Sequence, residues 1–323
     1  MKIRALLAAA LLALPAVPAT AADQAPARIA FIVPTSATAA ASSFTAFKEG
    51  MRDNGLLEGK DYVVEARYAD GDYSRFPALT RELMQRQPAV LVVSTIESAR
   101  VSQRETKTVP IVMLVNDPVG SGLAASLARP GGNSTGLSTQ AEDTMAKYVE
   151  LLREVLPRAK RIAVLMNPDN PSNMKLFDQV RTATAGFGIG TRAFDAATPA
   201  ALDEVLGAIA QYGPDALIVV PDAIFRLRHE RVSAFALANR IPVFGPSAEF
   251  VDSGTLISYA AALTAMNRRR ATYVAKILAG AKPADLPIEQ PNKFELVINM
   301  KTAKALGVTI PKSMLLRADR VIE

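Results

Sequence analysis

Apolar residues enter this chain as short unbroken runs, each stopped by a proline or a polar cluster and each followed by a helix-spaced stretch. The first run is Arg28-Ile29-Ala30-Phe31-Ile32-Val33-Pro34, and Phe44, Phe47 and Met51 then fall on one helical side. Such a run, rich in β-branched residues, predicts a strand buried on both faces. The theme then returns. Arg161-Ile162-Ala163-Val164-Leu165-Met166-Asn167-Pro168 leads into a helical pattern carrying Leu176, Val180 and Phe187. Gln87–Ser94 is echoed by Gly213–Pro221, and Val109–Met113 by Ile241–Phe244. A spacing this long is not that of a solenoid repeat. It predicts two similar α/β lobes in one chain.

Between these runs the pattern alternates strand and helix. Tyr62–Tyr68 and Ile111–Val115 read as further strands of the first lobe, with helices marked by Phe76, Leu79 and Leu83 and by Ile96–Thr106. Gly55 closes the first helix. Ala128–Gly136 is dense in turn formers and predicts the approach to a crossing between lobes. The second lobe continues through Gly190–Phe194, Ala216–Val220 and Ile241–Phe244, and Leu256–Tyr259 is the strand that crosses back. A long helix over Leu263–Leu278 returns to the first lobe. Ala281–Pro291 holds Pro283, Pro287 and Pro291, excluding helix and central strand, and reads as a third connection. The expected division is a signal peptide over 1–22, one lobe over 28–139 plus about 262–290, and the other over 140–261 plus about 291–323.

Composition narrows the chemistry. The 323 residues include no cysteine, no tryptophan and one histidine, so disulfides, thiol catalysis and a His/Cys zinc cluster are excluded, and neither cofactor nor metal is expected. Lys2, Arg4, the apolar Ala5–Leu14 and the small residues Ala19-Thr20-Ala21 form an export signal cleaved after Ala21 or Ala22. Its loss takes 37 basic residues to 35 against 31 acidic ones, a formal charge of +4. The basic residues lie scattered along helices without interleaved aromatics, which argues against nucleic acid. With no cysteine after the apolar run, lipid attachment is excluded, and the expected location is the periplasm.

Ligands of parallel sheets lie beyond the carboxyl ends of the strands. Here those ends carry Ser36, Ser94, Thr95, Asn116 and Asp117 in the first lobe. In the second they carry Asn167, Asn170, Asp222, Ser247 and Glu249. Hydroxyls and amides beside helix starts suit a carboxylate, and Asp222 or Glu249 suits an ammonium. Each position taken alone reads better as an N-cap or turn residue; the set, gathered on two facing edges, reverses that and predicts a ligand cleft. His229 among Arg226, Arg228, Glu230 and Arg231 reads as solvated surface, and Arg268-Arg269-Arg270 as the wet face of a helix. Phe44, Phe47 and Met51 read as core, with Phe44 near enough to the cleft to be ambiguous. No Gly-x-Ser-x-Gly elbow, phosphate loop or dinucleotide fingerprint is present.

Two blocks carry a family resemblance. Ala128-Arg129-Pro130-Gly131-Gly132-Asn133-Ser134-Thr135-Gly136-Leu137 is one. The other runs from Gly280-Ala281-Lys282-Pro283 through Glu289-Gln290-Pro291 and Phe294–Asn299 to Lys301–Gly307 and Ile310-Pro311. They resemble the ABC-transporter substrate-binding proteins that include tryptophan and tyrosine binders. The resemblance implies a type I periplasmic-binding-protein fold: two Rossmann-like lobes with parallel sheets, joined by three hinge crossings. It also implies a monomer that delivers a small molecule, an aromatic amino acid or related carboxylate, to inner-membrane ABC permease subunits by domain closure, without catalysis. Two departures stand near the cleft: Ser94-Thr95-Ile96-Glu97 replaces a Gly/Thr-rich turn, and Ala260 replaces a glycine. The rival readings are a ligand-sensing partner of a membrane receptor and a periplasmic enzyme using Asp117, Asp222 or Glu249.

Overall fold

The computed structural model describes residues 25–323; residues 1–22, read above as a signal peptide, lie outside the described residues. The chain builds two sheets. The first is made of β1 (Ala27–Val33), β2 (Tyr62–Tyr68), β3 (Val90–Val93), β4 (Ile111–Val115) and β5 (Ser134–Ser138), all parallel, in the order β2-β1-β3-β4-β5. Helices α1 (Ala37–Asp53), α2 (Phe76–Gln85) and α3 (Ile96–Glu105) connect the strands. Phe47 and Met51 of α1 cover one face of this sheet, and Phe76, Leu83, Ile96 and Ala99 cover the other.

After β5 the chain crosses into α4 (Ala141–Val155), β6 (Arg161–Met166), α5 (Pro171–Ala185), β7 (Gly190–Asp195) and α6 (Leu202–Tyr212). There follow β8 (Ala216–Val219), α7 (Ala223–Leu227), α8 (His229–Ala238), β9 (Val243–Gly245), α9 (Ala248–Asp252) and β10 (Ile257–Ala261). It crosses back into α10 (Leu263–Leu278), then returns a last time to β11 (Phe294–Asn299), α11 (Met300–Leu306), α12 (Lys312–Arg317) and β12 (Arg320–Ile322). The second sheet is ordered β12-β11-β10-β9-β8-β6-β7. Its parallel part, β7-β6-β8-β9-β10, repeats the strand order of the first sheet, which is the physical form of the repeat read in the sequence. Only β11 runs antiparallel to its neighbour β10.

Two features, β5 and Phe187, depart from the sequence pattern. The turn-forming string before the first crossing runs into β5, every residue of which is buried. Small and hydroxyl residues suit it, because Gly136 takes φ +139 and a Cβ there would lie 2.0 Å from the Met113 carbonyl oxygen. The proline-rich third connection runs beside β5, with Ser138 N–H donating to Glu289 O and Glu289 N–H to Gly136 O. Phe187, in register with the α5 stripe, lies past the helix end and is 46% exposed, with the Arg153 guanidinium 3.5 Å above its ring.

The return helix α10 completes the cover of the first sheet through Ala271, Val274 and Ile277, packed with Phe47 and Met51. It lies so close to α1 that a Cβ on Gly50 would stand 2.3 Å from the Arg268 carbonyl oxygen.

Candidate functional site: a cleft between the lobes

The carboxyl ends of the two sheets face one another across a cavity of about 1120 Å³, mouth included. The first lobe contributes apolar walls from Phe31, Phe44, Ile96 and Leu114, with Thr35, Ser94, Thr95 and Asn116 as its polar groups. Phe31 and Phe44 pack with ring centroids 4.9 Å apart, so Phe44 serves core and cavity together. The second lobe contributes Asn170, Ser172, Leu176, Pro221, Asp222 and Arg226.

Asp222 is the centre of the second wall. It follows β8 and N-caps α7, accepting from Ile224 N–H at 2.9 Å. Asn170 Nδ2 donates to it at 2.8 Å, and Asn167 Nδ2 reaches both its oxygens at 3.2 Å. Tyr73, from the turn after β2 of the opposite lobe, donates its hydroxyl at 3.1 Å. Asp222 is 9% exposed, and no cationic side chain pairs with it among the described residues. Burial pushes its carboxyl above the usual carboxylate range, against the pull of those donors. Burial and the neighbouring Asp222 together push the Tyr73 hydroxyl well above 10, so Tyr73 stays a donor.

The other residues read as site candidates divide. Ser94, Thr95, Asn116 and Asn170 line the cavity with Asp222. Thr95 also caps α3, accepting from Ser98 N–H. Asn116 fixes the first crossing: its Oδ1 accepts from Ala141 N–H at 2.9 Å while its Nδ2 donates to Glu142. Asn167 is 1% exposed and stands behind Asp222. Ser36 caps α1, and Ser247 is the N-cap residue of α9. Glu249 takes both forks of Arg226 at 2.9 Å. Asp117 lies at a separate outer depression, bonded to Lys175 Nζ of the other lobe at 2.8 Å.

Two expectations are corrected. His229 is half-buried, its ring 5.9 Å from that of Phe250, with Nδ1 shielded from solvent; it is not a solvated surface group. Arg268 and Arg269 do face solvent, but Arg270 is 3% exposed and lines the cavity. Helical spacing separates these neighbours: consecutive residues point about a quarter-turn apart, so a run of three arginines cannot lie on one face. Tyr73 and Asn267 also line the cavity without having been singled out. The signal for Tyr73 lies in its place after β2, at a strand end like the others.

Further contacts hold the lobes together. Ser42 donates to Glu249 at 3.4 Å, and Gly71 is set against Pro199, Ile224 and Leu227.

The sequence matches the family described as ABC transporter substrate binding protein over residues 28–322. It is 25% identical to a tyrosine-binding protein of Clostridioides difficile (strain R20291) over 270 residues, 81% of this chain and 75% of the relative. The fold superposes with a TM-score of 0.84 and 23% identity on an ABC domain in complex with L-Trp from Streptococcus pneumonia, covering 92% of this chain and 100% of that one. On the ligand-free, open structure of a substrate-binding protein with adhesive properties from Clostridium difficile the TM-score is 0.65 at 22% identity, covering 92% and 99%. Among the described residues no helix is long and apolar enough to cross a membrane.

Proposed function

The chain belongs to the family of ABC transporter substrate-binding proteins, and on that premise we propose that it is the periplasmic solute-binding component of an importer. It takes an aromatic amino acid or related carboxylate into the inter-lobe cavity, and the lobes close over it. Members of this family bind small molecules for transport and are not enzymes. The observation that carries the finer reading is Asp222, a buried carboxylate with four donors around it and, among the described residues, no cation paired with it. Such a charge is costly until a positive group neutralises it, and a ligand ammonium does so. Phe31, Phe44 and Tyr73 supply the aromatic surface that an aryl side chain would meet. Ser94, Thr95, Asn116 and Asn170 complete the polar lining.

Closure is the working step. It excludes water and so strengthens each polar contact to the ligand. The contrast between the two superpositions, 0.84 on the L-Trp complex and 0.65 on the open form at nearly equal identity, supports reading this arrangement of the lobes as the closed one. The closed form is the one a permease in the inner membrane would engage.

Since the chain has no tryptophan, the fluorescence of added L-tryptophan reports its own burial. Wild-type protein should shift that emission and bind L-tryptophan or L-tyrosine in calorimetric titration, returning the ligand unchanged by mass spectrometry. Asp222→Ala should cost on the order of 2–5 kcal/mol of binding, roughly thirty-fold to several-thousand-fold in affinity. Uptake of neither amino acids nor aryl carboxylates, or catalytic loss of the ligand, refutes the reading.

A further inference from the structure

The wall opposite Asp222 holds a second unpaired charge, on a residue outside the strand-end set. Arg270 rides on α10, the helix that returns from the second lobe. Its neighbours are paired: Arg268 with Asp53 and Glu49, Arg269 with Glu289. Arg270 meets no carboxylate within ion-pair distance among the described residues, and is 3% exposed. Burial takes its guanidinium down to about 9, which leaves it charged at neutral pH.

A guanidinium has five N–H groups. One terminal nitrogen of Arg270 donates to Val93 O at 3.3 Å and to Ser94 Oγ at 2.9 Å. The other donates to Asn267 Oδ1 at 2.6 Å, leaving one N–H over. Nε is buried with no partner at all. The face of the group lies 5.6 Å from the Phe31 ring centroid. Neutral side chains could satisfy Val93 O and Ser94; they would not carry a charge into the cavity wall at the cost of burying it.

What the charge faces is an anion cradle. Ser94 accepts from Arg270, so its own hydroxyl proton is free to point into the cavity. Thr95 follows as the N-cap of α3, and the N–H groups of Ile96 and Glu97 in the first turn have no acceptor within the helix. A ten-residue helix start, a hydroxyl and a buried cation converge on one spot.

We infer that Arg270 is a specificity-determining positioning residue: acting through Ser94 and the start of α3, it holds the ligand's carboxylate on the first lobe while Asp222 holds its ammonium on the second. The inference rests on the amino-acid reading above and adds an orientation to it. The ligand lies across the cleft, and each lobe reads one end of a zwitterion.

The test compares L-tryptophan with tryptamine, which keeps the ring and the ammonium but has no carboxylate. Wild type should prefer L-tryptophan by roughly a hundred-fold or more, as loss of one partner of a desolvated charge pair implies. In Arg270→Gln the preference should fall at least ten-fold while tryptamine binding stays within a few-fold of wild type. Arg270→Lys, which keeps a charge but loses the fork to Ser94, should restore part of it, and Ser94→Ala should lower it by less than Arg270→Gln does. A merely structural role would weaken both ligands equally. That result, or an unchanged preference in Arg270→Gln, overturns the inference while capture by the wild type still stands. Should Arg270→Gln fail to fold, an unchanged preference in Arg270→Lys and Ser94→Ala overturns it in the same way. Wild type that takes up none of the twenty L-amino acids overturns the amino-acid reading and this inference with it.

Discussion

Asp222 gives the protein a pH signature. Burial raises its folded pKa, so between the ordinary carboxylate value of about 3.9 and that raised value the native state keeps a proton that the unfolded chain releases. Stability is then greatest below this window and falls as pH rises through it. Across this window the melting temperature should fall more, or rise less, with increasing pH in wild type than in Asp222→Asn; equal slopes would exclude Asp222 as a source. A ligand ammonium favours the ionised carboxylate, so binding in the same window should release a proton. Calorimetry in buffers of different ionisation heat measures that release. The sequence located Asp222 at its strand end, because the strand patterns fix where strands stop. Its partners were less legible. Tyr73 approaches from the other lobe, and no local pattern encodes which residues meet across a cleft.

At the scale of elements, the strands and most helices were readable, since runs buried on both faces and helical stripes are local signals. β5 was not. Ser134-Thr135-Gly136-Leu137-Ser138 has the composition of a turn, and its burial comes from neighbours on both sides, β4 and the proline-rich connection. The placing of α10 was equally hidden, and with it the role of Arg270: three arginines in a row look like a wet surface until a tertiary contact selects one. Gly50 is the contact that selects. With only a hydrogen there, the α1 backbone lies against the α10 backbone; an added methyl would press into the Arg268 carbonyl oxygen and the Ala271 Cβ at 2.3 and 2.8 Å. Gly50→Ala should cost about 1–3 kcal/mol of stability, and should also weaken ligand binding, because displacing α10 displaces Arg270. Thermal melts beside titrations read both, and full affinity in a destabilised Gly50→Ala would show that the cavity does not depend on this seam.

Across the whole molecule, the two lobes are held by polar contacts that need no ligand: Tyr73 to Asp222, Ser42 to Glu249 and Lys175 to Asp117. A hydrogen bond to a shielded carboxylate contributes about 1.5–3 kcal/mol and an exposed ion pair about 0–1 kcal/mol, enough to bias the lobes toward this arrangement without locking it. Tyr73→Phe should therefore shift the ligand-free protein toward an open form, seen as a larger radius of gyration by solution scattering, with the ligand-bound radius unchanged. An identical ligand-free radius would mean that Tyr73 does not hold the lobes.

The three crossings also set an order of assembly. Asp53 on α1 and Arg268 on α10 are bonded although 215 residues separate them. Contacts this distant in sequence carry a large closure entropy and form late. Until α10 emerges, the sheet face over Phe47 and Met51 lacks the cover of Ala271, Val274 and Ile277. A fragment ending at Ala262 should accordingly leave residues 27–138 open to protease, whereas protection equal to that of the full chain would refute this order. The lobe synthesised first therefore waits for α10, and the second waits longer still for β11 and β12, so the chain cannot close on itself until most of it exists.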